Sequence, residues 1–239
     1  MNLSIIIPAH NEENSIEEVI KAIEQNVSVE HEIVVVNDHS SDKTTDIVER
    51  LAAQYRNNLS LVSNHNEPGF ANALKSGFMQ AKSDILVPVM ADLCDDPDTI
   101  NTMYKKILEG FDIVSGSRYI KGGKRLGGSR LKAFFSFFVG MISHLFFGVP
   151  THDITNSFKM CRKNVISSIT INAVSFEISM EITLKAYLKG FKITEIPTIW
   201  QDRTAGESKF NSFKVGPKYF KLFLWGFFTY LKKGFKCKS

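Results

Sequence analysis

Two periods of hydrophobic positions alternate along this chain. Leu3 to Ile7, Ile33 to Val36, Leu59 to Val62 and Ile85 to Met90 are short, mostly apolar runs, with the length and β-branched content of strands buried on both faces. Between them the apolar residues recur at helical spacing. Ile16, Val19, Ile20 and Ile23 form one such set, Ile47, Val48 and Leu51 a second, and Phe70, Leu74 and Phe78 with small Ala71, Ala73, Gly77 and Ala81 a third. Ser15 or Asn14 is a natural N-cap for the first helix, with Glu17 and Glu18 in its favourable first turn. The second helix is expected from about Lys43 to Tyr55, and Asp112 to Ser115 reads as a further strand. Strands alternating with helices at this rhythm predict an α/β fold, a mostly parallel central sheet flanked by helices.

The strands end in polar residues: Pro8 to Glu12, Asn37 to Asp42, and Met90 to Asp96. In an open α/β sheet ligands bind beyond the carboxyl ends of the strands, so these three loops are expected on one rim. The chain has neither GxGxxG nor GxxxxGK[ST], so a dinucleotide fold and a P-loop are not supported. The third loop carries Asp92, Asp95 and Asp96 just before Pro97. Carboxylates at a sheet edge suit a hard divalent cation, which takes oxygen ligands and often shares them with substrate phosphates. Asp95 or Asp96 is equally suited to capping the helix that Pro97 would open.

The second half is richer in glycine, basic and aromatic residues. Gly122, Gly123, Gly127 and Gly128 mark a loop carrying Lys121, Lys124, Arg125 and Arg130, a candidate phosphate clamp. Residues 131–149 are nearly long enough to span a bilayer. Lys132, Ser136, Gly140, Ser143 and His144 nevertheless form a polar stripe opposite Phe134, Phe138, Met141, Leu145 and Phe146. A helix lying in the membrane interface fits that pattern, with a core helix as the competing reading. In the tail, Pro217 is expected to open a helix with Lys218, Lys221, Trp225, Thr229 and Lys232 on one stripe and Tyr219, Phe220, Phe223, Phe227 and Phe228 elsewhere. From Lys218 to Leu231 it would reach roughly 21 Å, too short to cross roughly 30 Å of hydrocarbon.

Overall charge adds little, at +4 over 239 residues, but its placement does: no acidic residue follows Glu207, and eight lysines do. A basic, aromatic tail suits an anionic membrane surface. Nucleic acid is not expected, because the aromatics sit among aliphatics on an apolar face. The 3 cysteines make no zinc or disulfide pattern, which favours a reducing compartment. The opening Met1-Asn2-Leu3-Ser4 enters a strand without a cleavable apolar segment, so the cytoplasm is expected.

In order along the chain, Ile7-Pro8-Ala9-His10-Asn11-Glu12-Glu13, Val36-Asn37-Asp38-His39-Ser40-Ser41-Asp42, Ala91-Asp92, Gly116-Ser117-Arg118-Tyr119, Asp153 to Lys159, Glu195-Ile196-Pro197 and Arg203 to Phe210 resemble the inverting GT-A glycosyltransferases of family 2. The last block resembles the polyprenyl-phosphate group that includes dolichyl-phosphate mannose synthase. The resemblance implies a GT-A, nucleotide-diphospho-sugar transferase fold over residues 1–210, including the interface helix, and a membrane-associating segment over 211–239. It implies transfer of a hexose from a GDP-mannose or UDP-glucose type donor to a polyprenyl or dolichyl phosphate, by a peripheral enzyme on the cytoplasmic side of the cell membrane. Pro8, His10, Glu12 and Asp38 fall where the family binds base and ribose, and Ala91, Asp92 and Cys94 extend the donor site. Asp92 matches the second aspartate of the family's Asp-X-Asp motif and would hold Mg²⁺ or Mn²⁺. Arg118, Arg203 and Lys209 match phosphate-binding positions and are the catalytic set together with Asp92. Arg118, Arg130 and Ser208 are assigned to the acceptor phosphate, and Ser208 and Lys209 to a loop that closes over the donor.

Two positions depart from the family pattern. Met90 stands where the first aspartate is expected, and Cys94 where a glutamine is usual. A thioether is no ligand for a hard cation, although Mg²⁺ needs only one or two carboxylates beside waters and phosphates, and Asp95 could assist through water. Two alternatives accompany the main reading. One is the same fold acting on a glycan hydroxyl, for which Asp153 or Glu177 would be the base; Glu177 and Glu181 could equally pair with Lys185. The other is an inactive nucleotide-sugar-binding protein of the membrane surface, which Met90 favours.

Overall fold

A computed structural model describes residues 2–55, 58–202 and 212–236. Strands β1 (Leu3–Ala9), β2 (His31–Asn37), β3 (Leu59–Ser63), β4 (Ile85–Pro88) and β5 (Ile113–Ser117) join β7 (Lys159–Arg162) and β8 (Ile193–Pro197) in one seven-stranded sheet of order β3-β2-β1-β4-β7-β5-β8. β6 (Lys124–Leu126) and β9 (Ile199–Gln201) form a separate parallel ribbon. In the main sheet only β7 runs antiparallel, to both β4 and β5. The expected sheet is therefore present, with one reversed strand in its middle.

The continuous apolar runs are explained by cores on both faces. Ile5, Ile7, Ile33, Val35 and Val87 point to one side, where α1 (Ile16–Asn26), α2 (Thr44–Gln54) and α4 (Thr99–Leu108) cover them. The intervening Ile6, Val34, Val36 and Leu86 point to the other, under α3 (Phe70–Gln80), α6 (Lys163–Ser168) and α7 (Ile178–Leu188). This is the strand period of two applied to a sheet with no wet face. The small residues of α3 let it lie close on the sheet: a Cβ at Gly77 would run into the Ile6 side chain.

A third cluster joins α5 (Arg130–Phe147) and α8 (Ser212–Lys236) to α7 through Phe147, Met180, Leu184, Phe223 and Phe227. α5 stops before the expected residue 149 because Gly148 turns left-handed at φ 71° and its N–H closes on the His144 carbonyl, the usual glycine helix stop. α8 begins at Ser212, and Pro217 lies inside it instead of opening it. The polar stripe of α5 faces the protein: Gly140 and Ser143 are buried, whereas Phe134 is 60% and Leu145 70% exposed. α5 is long and apolar enough to cross a membrane by length and composition, and 17% of it is buried. The core-helix reading fails, because its aromatic face looks outward.

Candidate functional site

The sheet opens where its strand order reverses. β1 pairs with β4 only as far as Ile6↔Pro88, but with β2 as far as Ala9↔Asn37. Beyond Ile6 the neighbours part, leaving a crevice at the topological switch point, where open α/β sheets bind ligands. Pro8 sits at this parting, so its missing N–H interrupts no pairing with β4.

The first two loops are sewn together along one wall. His10 Nδ1 lies 2.5 Å from the Asp38 carbonyl, and Asp38 N–H donates to the Ala9 carbonyl at 2.7 Å. Ser41 N–H donates to Asn11 Oδ1 at 2.8 Å, and Glu12 N–H to Thr44 Oγ1 at 2.8 Å. The Ser15 hydroxyl donates to the Glu12 carboxylate at 3.1 Å instead of capping α1. The buried Asp38 carboxylate accepts from Asn64 Nδ2 at 2.7 Å and from Gly69 N–H at 2.9 Å. It is thus a framework group as well as a candidate ligand, since a carboxylate has about four acceptor sites.

The opposite wall is the acidic loop. Asp92 and Asp95 are both buried, at 8% and 5% exposure. Asp92 Oδ1 accepts from Cys94 N–H at 3.2 Å, and Asp95 Oδ2 from Met90 N–H at 3.3 Å. Burial, then the Asp92 charge, pushes the Asp95 carboxyl up to about 7. Asp96 accepts from Asp98 N–H at 3.2 Å and Thr99 Oγ1 at 3.1 Å in the turn ahead of α4, but the N-cap position before Thr99 is held by Asp98, which makes no side-chain cap. Each of the three loops holds one non-glycine residue at positive φ: Asn11 at 54°, His39 at 59° and Leu93 at 59°. Such conformations cost of order 1 kcal/mol or more and cluster at binding sites.

The β6–β9 ribbon roofs this loop. Gln201 N–H donates to the Cys94 carbonyl at 3.0 Å, Asp95 bridges to Trp200, and Arg125 lies over the Trp200 ring at 4.7 Å. Arg203, Ser208 and Lys209 lie outside the described residues. Asp202, which precedes them, is tied by its N–H to the Leu126 carbonyl at 2.8 Å.

Arg118 is not a free clamp. Its Nε donates to Asp153 Oδ2 at 2.6 Å, its Nη2 to Asp153 Oδ1 at 2.8 Å and to Ser136 Oγ on α5 at 3.0 Å. Burial alone would lower this guanidinium, but the charge and hydrogen bonds of Asp153 outweigh it and raise it. Asp153 is fully buried in this pair, which removes it as a general base for a hydroxyl acceptor. Glu177 accepts from Val174 N–H at 3.1 Å, and it is Glu181 that pairs with Lys185, at 2.6 Å. Arg130 is exposed at the start of α5. Sequence reasoning missed the Arg118–Ser136 link and the buried Lys159, whose Nζ donates to the Ile154 carbonyl at 3.0 Å. The serine in the polar stripe of α5 was the available signal for the first.

Among the described residues no group of three or more His, Cys, Asp or Glu side chains forms a ready metal cage. Asp92 and Asp95 nevertheless fit a hard cation. They are buried together, burial and the Asp92 charge hold the Asp95 carboxyl high, a cost that a bound cation would relieve, and the neighbouring Arg118 charge is already committed to Asp153.

A mostly parallel sheet with a loop cradle at its switch point and an acidic loop after β4 is the architecture of the GT-A fold. Glucosyl-3-phosphoglycerate synthase from Mycobacterium tuberculosis, solved with Mn²⁺, UDP and glucosyl-3-phosphoglycerate, superposes with a TM-score of 0.69 at 18% identity, covering 93% of this chain and 77% of that one. The same protein solved with Mg²⁺ and UDP gives 0.69 at 18% identity, over 93% and 76%. The chain belongs to glycosyl transferase family 2, whose description matches residues 4–170. It is 33% identical over 214 residues to a dolichol-phosphate mannosyltransferase of Pyrococcus furiosus, covering 87% of this chain and 59% of that relative. It is 26% identical over 228 residues to a polyprenol monophosphomannose synthase of Mycolicibacterium smegmatis, covering 93% and 86%.

Proposed function

We propose that the chain transfers a hexose from a GDP-mannose or UDP-glucose type donor to a polyprenyl phosphate, at the cytoplasmic face of a membrane. The observation that carries this reading is the orientation of α5. Its polar stripe reaches inward to Arg118 through Ser136, while its aromatic face stays outside the protein. A lipid whose head must reach a buried cation and whose tail must stay in hydrocarbon needs that arrangement. The names of the two mannosyl-transferring relatives point to the same acceptor class.

In this reading Pro8, His10, Glu12 and Asp38 hold the base and ribose, and Ala91, Asp92 and Cys94 lie along the donor. The acceptor phosphate is already ionised near neutral pH, so no general base is needed. Its oxygen bonds to the anomeric carbon as the bond from that carbon to the nucleoside diphosphate breaks, with inversion. Arg130 and Ser208 receive the acceptor phosphate together with Arg118, which stays paired with Asp153 as it does so, and Arg203 and Lys209 neutralise the departing diphosphate. Mg²⁺ or Mn²⁺ would be held by Asp92, with Asp95 beside it, and supplies charge neutralisation at the diphosphate.

The assignment is tested with Arg203→Ala, assayed with a short polyprenyl phosphate and with a glycan hydroxyl acceptor. Loss of turnover by orders of magnitude on the lipid phosphate, and no transfer to the hydroxyl by either protein, is expected. Wild-type rates for the variant on the lipid acceptor would sink it.

A further inference from the structure

Residues 170–177 run between α7, the start of α3 and the tail helix α8, and their polar groups are held from three sides. Glu181 of α7 accepts from Asn172 N–H at 3.0 Å and from Ala173 N–H at 2.7 Å, and Lys75 of α3 donates to the Ala173 carbonyl at 2.7 Å. The Phe176 ring stacks on Phe70, the first residue of α3, with centroids 4.8 Å apart and planes at 17°. Gly69, immediately before Phe70, gives its N–H to the Asp38 carboxylate at 2.9 Å. A Cβ at Gly69 would lie 3.4 Å from the Val174 carbonyl, in van der Waals contact with it.

Helix α8 reaches the same segment once directly and once through Lys185 of α7. The Tyr219 hydroxyl donates to the Phe176 carbonyl at 3.0 Å. Lys185, which bonds Glu181 at 2.6 Å and the Thr170 carbonyl at 2.6 Å, lies over the Trp225 ring at 5.3 Å. Tyr219 shares its face of α8 with Gly226, seven residues on, which lets the helix lie close to α7, where a Cβ would meet Leu184; Trp225 flanks that face.

We infer that Tyr219 and Phe70 are positioning residues for the nucleotide: the tail helix braces residues 170–177, and through the Phe176–Phe70 stack that brace fixes Gly69 and the Asp38 carboxylate in the donor cradle. The helix that would meet the membrane is thereby part of the donor site, although it does not itself line the crevice. Covalent distance along the chain hides this, since Tyr219 and Asp38 lie at opposite ends of the sequence. The inference rests on Asp38 belonging to the donor site. It goes beyond that reading by giving the tail a role other than anchorage.

The test is calorimetric titration of the full chain with GDP and with UDP, each with Mn²⁺, alongside thermal unfolding. Tyr219→Phe removes one hydroxyl and Phe70→Leu removes the flat stack while keeping an apolar side chain; Phe70→Tyr keeps the stack. Removing one hydrogen bond or stack that orders the cradle is expected to weaken nucleotide binding by roughly 3- to 10-fold. Phe70→Tyr is expected to restore it, and the acceptor KM is expected to stay unchanged. A merely structural contact would lower the melting temperature and leave affinity of the folded protein intact. Asp38→Asn separates the two claims. Wild-type affinity in that variant overturns the assignment of Asp38 to the donor site, and the brace with it. Weakened binding in Asp38→Asn, with wild-type affinity in both Tyr219→Phe and Phe70→Leu, overturns the brace alone.

Discussion

Replacing Asp153 with asparagine is the perturbation with the most sharply defined consequence. The carboxylate is fully buried, and Arg118 is 11% exposed. The pair makes bonds of 2.6 and 2.8 Å, and Arg118 N–H adds a third to Asp153 Oδ2 at 3.1 Å. Asparagine keeps the shape but leaves a guanidinium buried without its counter-charge, which costs ~3–5 kcal/mol. For a chain of this size that is a fall in melting temperature of roughly 6–20 °C. The assay is urea and thermal unfolding followed by circular dichroism, on Asp153→Asn, Arg118→Met and the double variant. With both charges gone no guanidinium is left stranded, so the double variant is expected to recover most of the loss, a coupling of ~2 kcal/mol or more. A single variant within about 1 kcal/mol of the wild type, or additive effects, would refute the reasoning. Were Asp153 a catalytic base, transfer would vanish at unchanged stability, a different signature.

Lys159 gives a pH prediction. Burial, opposed by the Asp153 charge, lowers its ammonium from 10.5 to about 7. Between those values the unfolded chain holds a proton that the folded one does not, so stability rises with pH through that window and is lost as pH falls towards 7. From pH 7 to 9.5 the wild type should gain ~3 kcal/mol relative to Lys159→Met in urea unfolding; parallel curves would contradict the burial argument. Gly140→Ala places a Cβ against the His152 carbonyl and should cost ~1–3 kcal/mol by overpacking, measured by thermal unfolding, with no loss if α5 can shift outward. Phe134→Ser with Phe228→Ser, both exposed, should lower sedimentation with anionic vesicles by about tenfold or more at unchanged melting temperature.

The strands that form the crevice were legible because burial on both faces leaves an unbroken apolar run, as in Ile33 to Val36. The loops were legible because polar residues follow those runs directly. The reversed β7 was not, since Lys159–Arg162 is short and carries charges at both ends. Nor could spacing reveal that Asp153 neutralises Arg118, 35 residues away, or that Gln201 ties to Cys94. The polar stripe of α5 was visible, but its direction was not: periodicity identifies two faces and leaves open which one meets the protein. Pro217 misled for a related reason. Proline favours a first turn, and here the helix had already begun at Ser212.

The measurement that bears most directly on the account is transfer of radiolabelled sugar from GDP-mannose or UDP-glucose into an organic extract containing a short polyprenyl phosphate, with Mn²⁺ and then with chelator. The account predicts a labelled monoglycosylated lipid phosphate from one of these donors, formed with Mn²⁺, lost with chelator and absent for Asp92→Asn. No labelled lipid from either donor, or transfer that is indifferent to Asp92, would contradict it.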